Sequence, residues 1–142
     1  MATVKELETV SAKDETGTYD LRSFALELNG VSVELSTIGA SISKLLLPNY
    51  ASDSSEKRDD VILGYKSPIA MMESGNPPYF GVIVGRVANR IEKGKLVIPG
   101  DDNVYELAVN NGPNHLHGGL RGFSRCVWDA EIVSEGVKFS LT

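Results

Sequence analysis

The stretch 24–35 constrains the fold more than any other part of the chain. Phe24, Leu26 and Leu28 alternate with small or polar residues, Asn29-Gly30 follows, and Val31, Val33 and Leu35 resume the alternation. Apolar side chains at every second position fit a β-strand, whose successive side chains leave opposite faces. Asn-Gly supplies the positive φ values that a two-residue hairpin turn requires. With that turn the predicted pairs are Leu28 with Val31, Leu26 with Val33 and Phe24 with Leu35, and all six apolar side chains share one face. A one-residue slip would move one strand's set to the other side, so the register is strongly specified.

The rest of the chain follows the same period. Apolar segments bounded by turn residues predict strands over 39–47 (ended by Pro48), 61–63, 80–84, 95–98, 104–109, 127–133 and 137–141. One helical turn is expected at 67–72, with Ser67 as cap, Pro68 at the first helical position and Pro77-Pro78 ending it. Residues 1–15 read as a flexible lead-in and 49–60 as a mobile polar loop. No long stretch keeps a 3.6-residue apolar period, which excludes a helical bundle and a parallel βαβ fold. The expected class is all-β and antiparallel, with residues 1–142 in one domain.

Composition narrows the function. With 42% hydrophobic and 23% charged residues the chain has the makings of a core. Fourteen basic against nineteen acidic residues leave a formal charge of -5, the wrong sign for gripping a phosphate backbone, so no nucleic acid partner is expected. No apolar run approaches the roughly 20 residues of a membrane span, so no membrane partner is expected either. Cys126 is the single cysteine, which forbids an intrachain disulfide and fits a cytoplasmic protein.

Polar chemistry gathers in three segments. In Gly85-Arg86-Val87-Ala88-Asn89-Arg90-Ile91, continued alternation would place Arg86 and Arg90 on one face and Asn89 on the other. Arginine keeps its proton, but its fixed fork of donors suits oxygen-rich ligands; the competing reading is two solvated side chains. Asn114-His115-Leu116-His117-Gly118-Gly119 holds both histidines. Extended backbone would point them the same way, a spacing that can chelate a metal, yet no third histidine exists to complete a set. One histidine acting on a substrate and a polar turn both remain open. The run from Gly122-Phe123 to Trp128, like Tyr79-Phe80 and Tyr105, offers aromatic faces for a sugar ring or for a core.

In order, Gly39-Ala40, Asp60-Val61-Ile62-Leu63-Gly64-Tyr65, Tyr79-Phe80-Gly81, Val84 to Ile91, Gly94, Tyr105-x-Leu107, Asn110, Asn114-x-Leu116-His117-Gly118-Gly119, Gly122-Phe123 and Trp128 resemble the aldose 1-epimerase family, the galactose mutarotases. The resemblance runs from about Thr16 to the end. It implies an antiparallel β-supersandwich of the galactose mutarotase type, of which this chain is an N-terminal portion, and interconversion of the α and β anomers of a free aldohexose, galactose or glucose, with no cofactor and no metal. It carries a sugar contact onto Arg90 and a catalytic, sugar-binding role onto His117, and Asn89 matches a residue lining the cleft. His115 falls at a variable position. The family's second histidine (its general acid), its glutamate base and a sugar-binding aspartate lie further toward the C-terminus. The chain alone is therefore expected to be inactive and to take a complementing C-terminal fragment as partner. The alternative is a noncatalytic carbohydrate-binding or sensing module.

Overall fold

The chain's computed structural model describes residues 2–49 and 57–142. Its main element is a five-stranded antiparallel sheet in the order β1-β2-β3-β4-β5. The strands are β1 (Thr3–Asp14), β2 (Gly17–Leu28), β3 (Val31–Ser36), β4 (Ser41–Pro48) and β5 (Arg58–Asp60). The β2–β3 register pairs Phe24 with Leu35, Leu26 with Val33 and Leu28 with Val31, as alternation and the Asn-Gly turn predict. Three two-stranded ladders follow: β6 (Arg90–Ile91) with β9 (His115–Leu116), β7 (Lys95–Val97) with β8 (Val104–Glu106), and β10 (Asp129–Val133) with β11 (Gly136–Ser140).

Cover over the sheet is uneven. On the apolar face Phe24 is fully buried, edge-on to Phe139 of β11 at 6.2 Å, while Leu28 at the turn is 49% exposed. Arg22 ties this face together. It grips Glu6 of β1 through Nε at 2.8 Å and Nη2 at 2.9 Å, donates from Nη1 to the Ala130 carbonyl of β10 at 2.8 Å, and lies over the Phe24 ring. Its guanidinium holds the Glu6 carboxyl well below the usual carboxylate range, at about 2. The opposite face carries the core of Leu21, Ile38 and Met71. Here Ser23, Ser36 and Ser41 pair in a row across three strands and are all buried.

Helix α1 (Pro68–Ser74) starts as predicted, with Ser67 Oγ accepting from the Ala70 N–H at 3.2 Å and Pro68 at the first position. It runs beyond one turn, and Gly75 ends it before Pro77-Pro78: left-handed at φ 66°, it donates its N–H to the Met72 carbonyl.

Four segments depart from the alternation pattern. Residues 1–15, expected as a lead-in, contain the twelve-residue β1. A bulge between Glu6 and Glu8 sets Val4 opposite Leu26 but Val10 opposite Leu21, so its apolar residues serve opposite faces and show no continuous period. The expected loop 49–60 ends in β5; residues 50–56 lie outside the described residues. No strand forms at 61–63, where Leu63 is 72% exposed. There the Asp60 carboxylate takes the N–H groups of Leu45 and Ile62. Nor does one form at 80–84: Tyr79 and Gly81 are left-handed, and the Asn76 side chain binds both the N–H and the carbonyl of Phe80. The two-residue strands β6 and β9 form outside the predicted ones, and elsewhere boundaries shift. β4 starts at Ser41, after the left-handed Gly39 and Ala40, and β8 stops at Glu106.

Candidate functional site

The site is built where β6 and β9 meet. Their ladder is two residues long, pairing Arg90 with Leu116 and Ile91 with His115. Immediately outside it stand Asn89 and His117, both left-handed at φ 61° and 51°. Left-handed backbone is disfavoured for side-chain-bearing residues, though least so for types such as Asn and His, and two such residues facing each other mark a place where the chain turns out of the ladder. They are joined reciprocally. The His117 N–H donates to the Asn89 carbonyl at 3.1 Å, and the Asn89 N–H donates to His117 Nδ1 at 2.9 Å. The second bond fixes the ring's chemistry: Nδ1 acts as acceptor, so the proton of the neutral imidazole sits on Nε2.

Arg90 joins the same group. Its Nη1 reaches Asn89 Oδ1 at 3.3 Å and its Nε donates to Asn111 Oδ1 at 2.9 Å. Asn89 thus touches both the guanidinium-bearing and the imidazole-bearing residue. Tyr79 sets its ring edgewise to His117, with centroids 4.8 Å apart. Asn89 and Arg90 are exposed and His117 and Tyr79 half-buried. Together they form a patch open to solvent. Neither Arg90 nor His117 lines the cavity of about 400 Å³ between the β1–β2 turn, α1 and residues 120–125, nor the one of about 470 Å³ beside His115 and Phe123.

Close backbone contact holds the His117 loop. A Cβ on Gly118 would overlap the Gly85 carbonyl, and one on Gly122 would overlap the carbonyl of His117. Asn110 clamps the loop from the other side: Oδ1 accepts from Leu116 N–H at 2.7 Å, and Nδ2 donates to the carbonyls of Leu116 at 3.0 Å and Gly119 at 3.2 Å.

Two sequence expectations fail here. Residues 85–89 are not a strand, so Asn89 sits with Arg90 instead of opposite it, and Arg86 leaves the group to lie over the Phe123 ring at 5.3 Å. His115 and His117 do not point the same way, because His117 breaks the extended backbone. His115 is buried with Nδ1 2.8 Å from the Ala108 carbonyl, while His117 faces Asn89. Among the described residues no three His, Cys, Asp or Glu side chains gather. The 122–128 aromatics pack on one another: Phe123 and Trp128 meet edgewise at 5.5 Å, and the indole N–H donates to the Phe123 carbonyl. Tyr105 donates to Asp101 at 2.6 Å, holding that carboxyl below its usual range. Tyr79, one of the aromatics singled out in the sequence, thus lies at the site, whereas Asn111 carries no signal in spacing; the Asn110-Asn111 pair, two polar residues before a turn, is the available hint.

A five-stranded antiparallel meander, with Asn89, Arg90, Asn111 and His117 joined by hydrogen bonds beside it, defines an antiparallel β-protein. Solved structures share this fold. The crystal structure of galactose 1-epimerase from Lactobacillus acidophilus NCFM superposes with a TM-score of 0.69 at 28% identity over 92% of this chain and 34% of its own. An aldose epimerase homologue from C. elegans gives 0.68 at 32% identity over 79% and 32%. In sequence, galactose mutarotase of Sus scrofa is 38% identical over 125 residues, 88% of this chain and 34% of that protein. The fold is thus that of the galactose mutarotases, and with the aldose 1-epimerase family model matching residues 22–142, the chain belongs to the aldose 1-epimerase family, a family of enzymes. It spans about a third of the length of these relatives. No helix among the described residues is long and apolar enough to cross a membrane.

Proposed function

We propose that this chain supplies the Asn89–Arg90–His117 face of an aldose 1-epimerase acting on free hexoses, galactose or glucose, in the cytoplasm. The observation that carries the reading is the position of Asn89, whose backbone N–H sets the His117 ring while its side-chain oxygen meets the Arg90 guanidinium. Two donors of different kinds, the Nε2–H of His117 and the Nη groups of Arg90, are thereby preset on one open patch. Preset donors are what a sugar's ring oxygen and hydroxyls need, because little reorganisation remains to be done on binding.

Mutarotation removes the proton of the anomeric hydroxyl and delivers a proton to the ring oxygen as the C1–O5 bond breaks. The C1–C2 bond then turns, and the ring closes on the other face of the carbonyl. Arg90 holds sugar oxygens and offsets negative charge as it develops, without exchanging a proton. His117 presents Nε2–H to a sugar oxygen. Neither group is a base for the anomeric hydroxyl in this arrangement, and among the described residues no carboxylate is hydrogen-bonded to Arg90 or His117. The acid and base are therefore assigned to the two-thirds of the family's length that this chain does not span, and a complementing C-terminal segment carrying them is its partner. The same absence of a nearby carboxylate favours a second reading, a noncatalytic carbohydrate-binding module.

Polarimetry of fresh α-D-galactose with the purified 142-residue chain tests the catalytic part. The expected rate is the spontaneous one; a faster rate abolished by His117→Ala overturns the assignment of acid and base elsewhere. Saturation-transfer NMR tests the binding part. Galactose signals that disappear in His117→Ala and in Arg90→Ala are expected, and a wild-type chain that transfers no saturation overturns the sugar site. Restoration of anomerisation by an added C-terminal segment of the family separates the epimerase reading from the binding-module reading.

A further inference from the structure

Arg90 is exposed and its side chain is long, so holding it in one pose costs conformational entropy. The two-residue β6–β9 ladder fixes its backbone but not its side-chain torsions. Asn111 addresses those. Its Oδ1 takes the Arg90 Nε–H at 2.9 Å, from a turn that is itself pinned. The Asn111 N–H donates to the Asn114 carbonyl and the Asn114 N–H returns to the Asn111 carbonyl, each at 3.0 Å, while Asn114 Oδ1 accepts from the Lys93 N–H, just beyond β6. With Nε held by Asn111 and Nη1 at Asn89, Nη2 has no hydrogen-bond partner among the described residues.

We infer that Asn111 is a positioning residue: by holding Nε–H of Arg90 it turns the Nη edge of the guanidinium toward the patch shared with His117, so that a sugar meets donors already in place. This rests on the reading of that patch as a sugar site. Asn111 itself touches no sugar in this role. Its contribution is preorganisation, which raises affinity by removing an ordering cost and adds no contact of its own.

The experiment follows the Arg90 Nε–H by ¹⁵N–¹H NMR and titrates galactose into the 142-residue wild type, Asn111→Ala, Asn111→Asp and Arg90→Ala. In Asn111→Ala, Arg90 Nε–H exchange with water is expected to accelerate, and the galactose Kd to weaken about tenfold, with the denaturation midpoint unchanged. Asn111→Asp retains an Oδ acceptor and is expected to recover most of both. Arg90→Ala is expected to lose binding. Unchanged Nε–H exchange in Asn111→Ala overturns the inference, as does an unchanged Kd there while Arg90→Ala loses binding; in both cases the sugar site stands. An Asn111→Ala chain whose denaturation midpoint falls in step with its affinity, without rescue by Asn111→Asp, assigns the residue to folding and also overturns it. A wild-type chain that binds no galactose sinks the sugar site and this inference with it.

Discussion

The β1–β5 meander and the segment from Tyr79 to Trp128 are held by different forces. The meander is a set of ladders up to twelve residues long, in which backbone pairs with backbone and each strand fixes its neighbour. The later segment has strands of two or three residues, and its backbone groups are largely met by side chains and by single bonds across turns. The first arrangement tolerates side-chain change as long as the alternation survives. The second depends on particular atoms, and the candidate site lies in it. Rigid framework and exacting loops are the usual division of labour where binding groups ride on irregular backbone.

Two left-handed glycines put that contrast to its hardest test. Gly30, in the β2–β3 turn, has φ 81°, and a Cβ there would meet only Pro48 Cγ at 3.4 Å. Gly118 has φ 87°, but a Cβ there would overlap the Gly85 carbonyl. Gly30→Ala is expected to cost about 1–2 kcal/mol, the backbone term alone. Gly118→Ala adds a clash between two backbones and is expected to cost about 4–5 kcal/mol, with loss of the Asn89 N–H to His117 bond. Urea denaturation of both variants, with His117 imidazole ¹⁵N shifts, checks this. Equal costs would mean that the His117 loop is as forgiving as the hairpin turn.

Next in size is Phe24→Ala, which removes the fully buried ring that meets Phe139. It is expected to cost about 3–4 kcal/mol through lost transfer energy and a cavity. Because Phe24 serves the meander, His117 should keep its tautomer in molecules that remain folded. A His117 ¹⁵N spectrum altered as much as in Gly118→Ala would show that the two regions do not behave separately.

Asn110→Ala sharpens the contrast from the other side. It deletes all three bonds around the His117 loop and strands the Leu116 N–H and two carbonyls, so about 2–3 kcal/mol is expected. Ser32→Ala, a buried hydroxyl within β3, should stay within about 0.5 kcal/mol because the ladder does not use its side chain. Denaturation midpoints of the two variants suffice to compare them.

The same division explains what could be read from the residues alone. The β2–β3 register was legible because turn chemistry and alternation agree at Asn29-Gly30. β1 was hidden by a bulge that splits Val4 from Val10 between faces. At 80–84 an apolar run looked extended, but Tyr79 and Gly81 turn left-handed, which composition does not signal. Arg90, Asn89 and His117 stood out by motif, yet period-2 reasoning set Asn89 on the far side of Arg90. A left-handed φ at Asn89 and at His117 reverses that; both are residue types that favour this region more than most, but without a turn pattern like Asn29-Gly30 the type alone does not fix it. The link from Arg90 to Asn111 spans 21 positions and exists only once the turn closes.

A small effect that varies with pH lies in the meander, at Glu6. Its carboxyl is held at about 2, first by the hydrogen bonds from Arg22, against an ordinary value of 4.5. A carboxyl whose folded value is depressed adds stability that is fully present above its unfolded value and fades as pH falls toward the folded one. Wild type should therefore exceed Glu6→Gln in urea midpoint at pH above about 4.5, and the gap should close as the pH approaches about 2. Both partners are at the surface, where ion pairs contribute little, so the gap stays small even at its largest. Gln keeps a side-chain oxygen that can accept from Arg22, so any part of the difference that survives to low pH belongs to geometry and not to charge. A gap that does not vary with pH would mean that Glu6 secures β1 by packing and hydrogen bonding alone, and that the bidentate pair with Arg22 is as dependent on particular atoms as anything around His117.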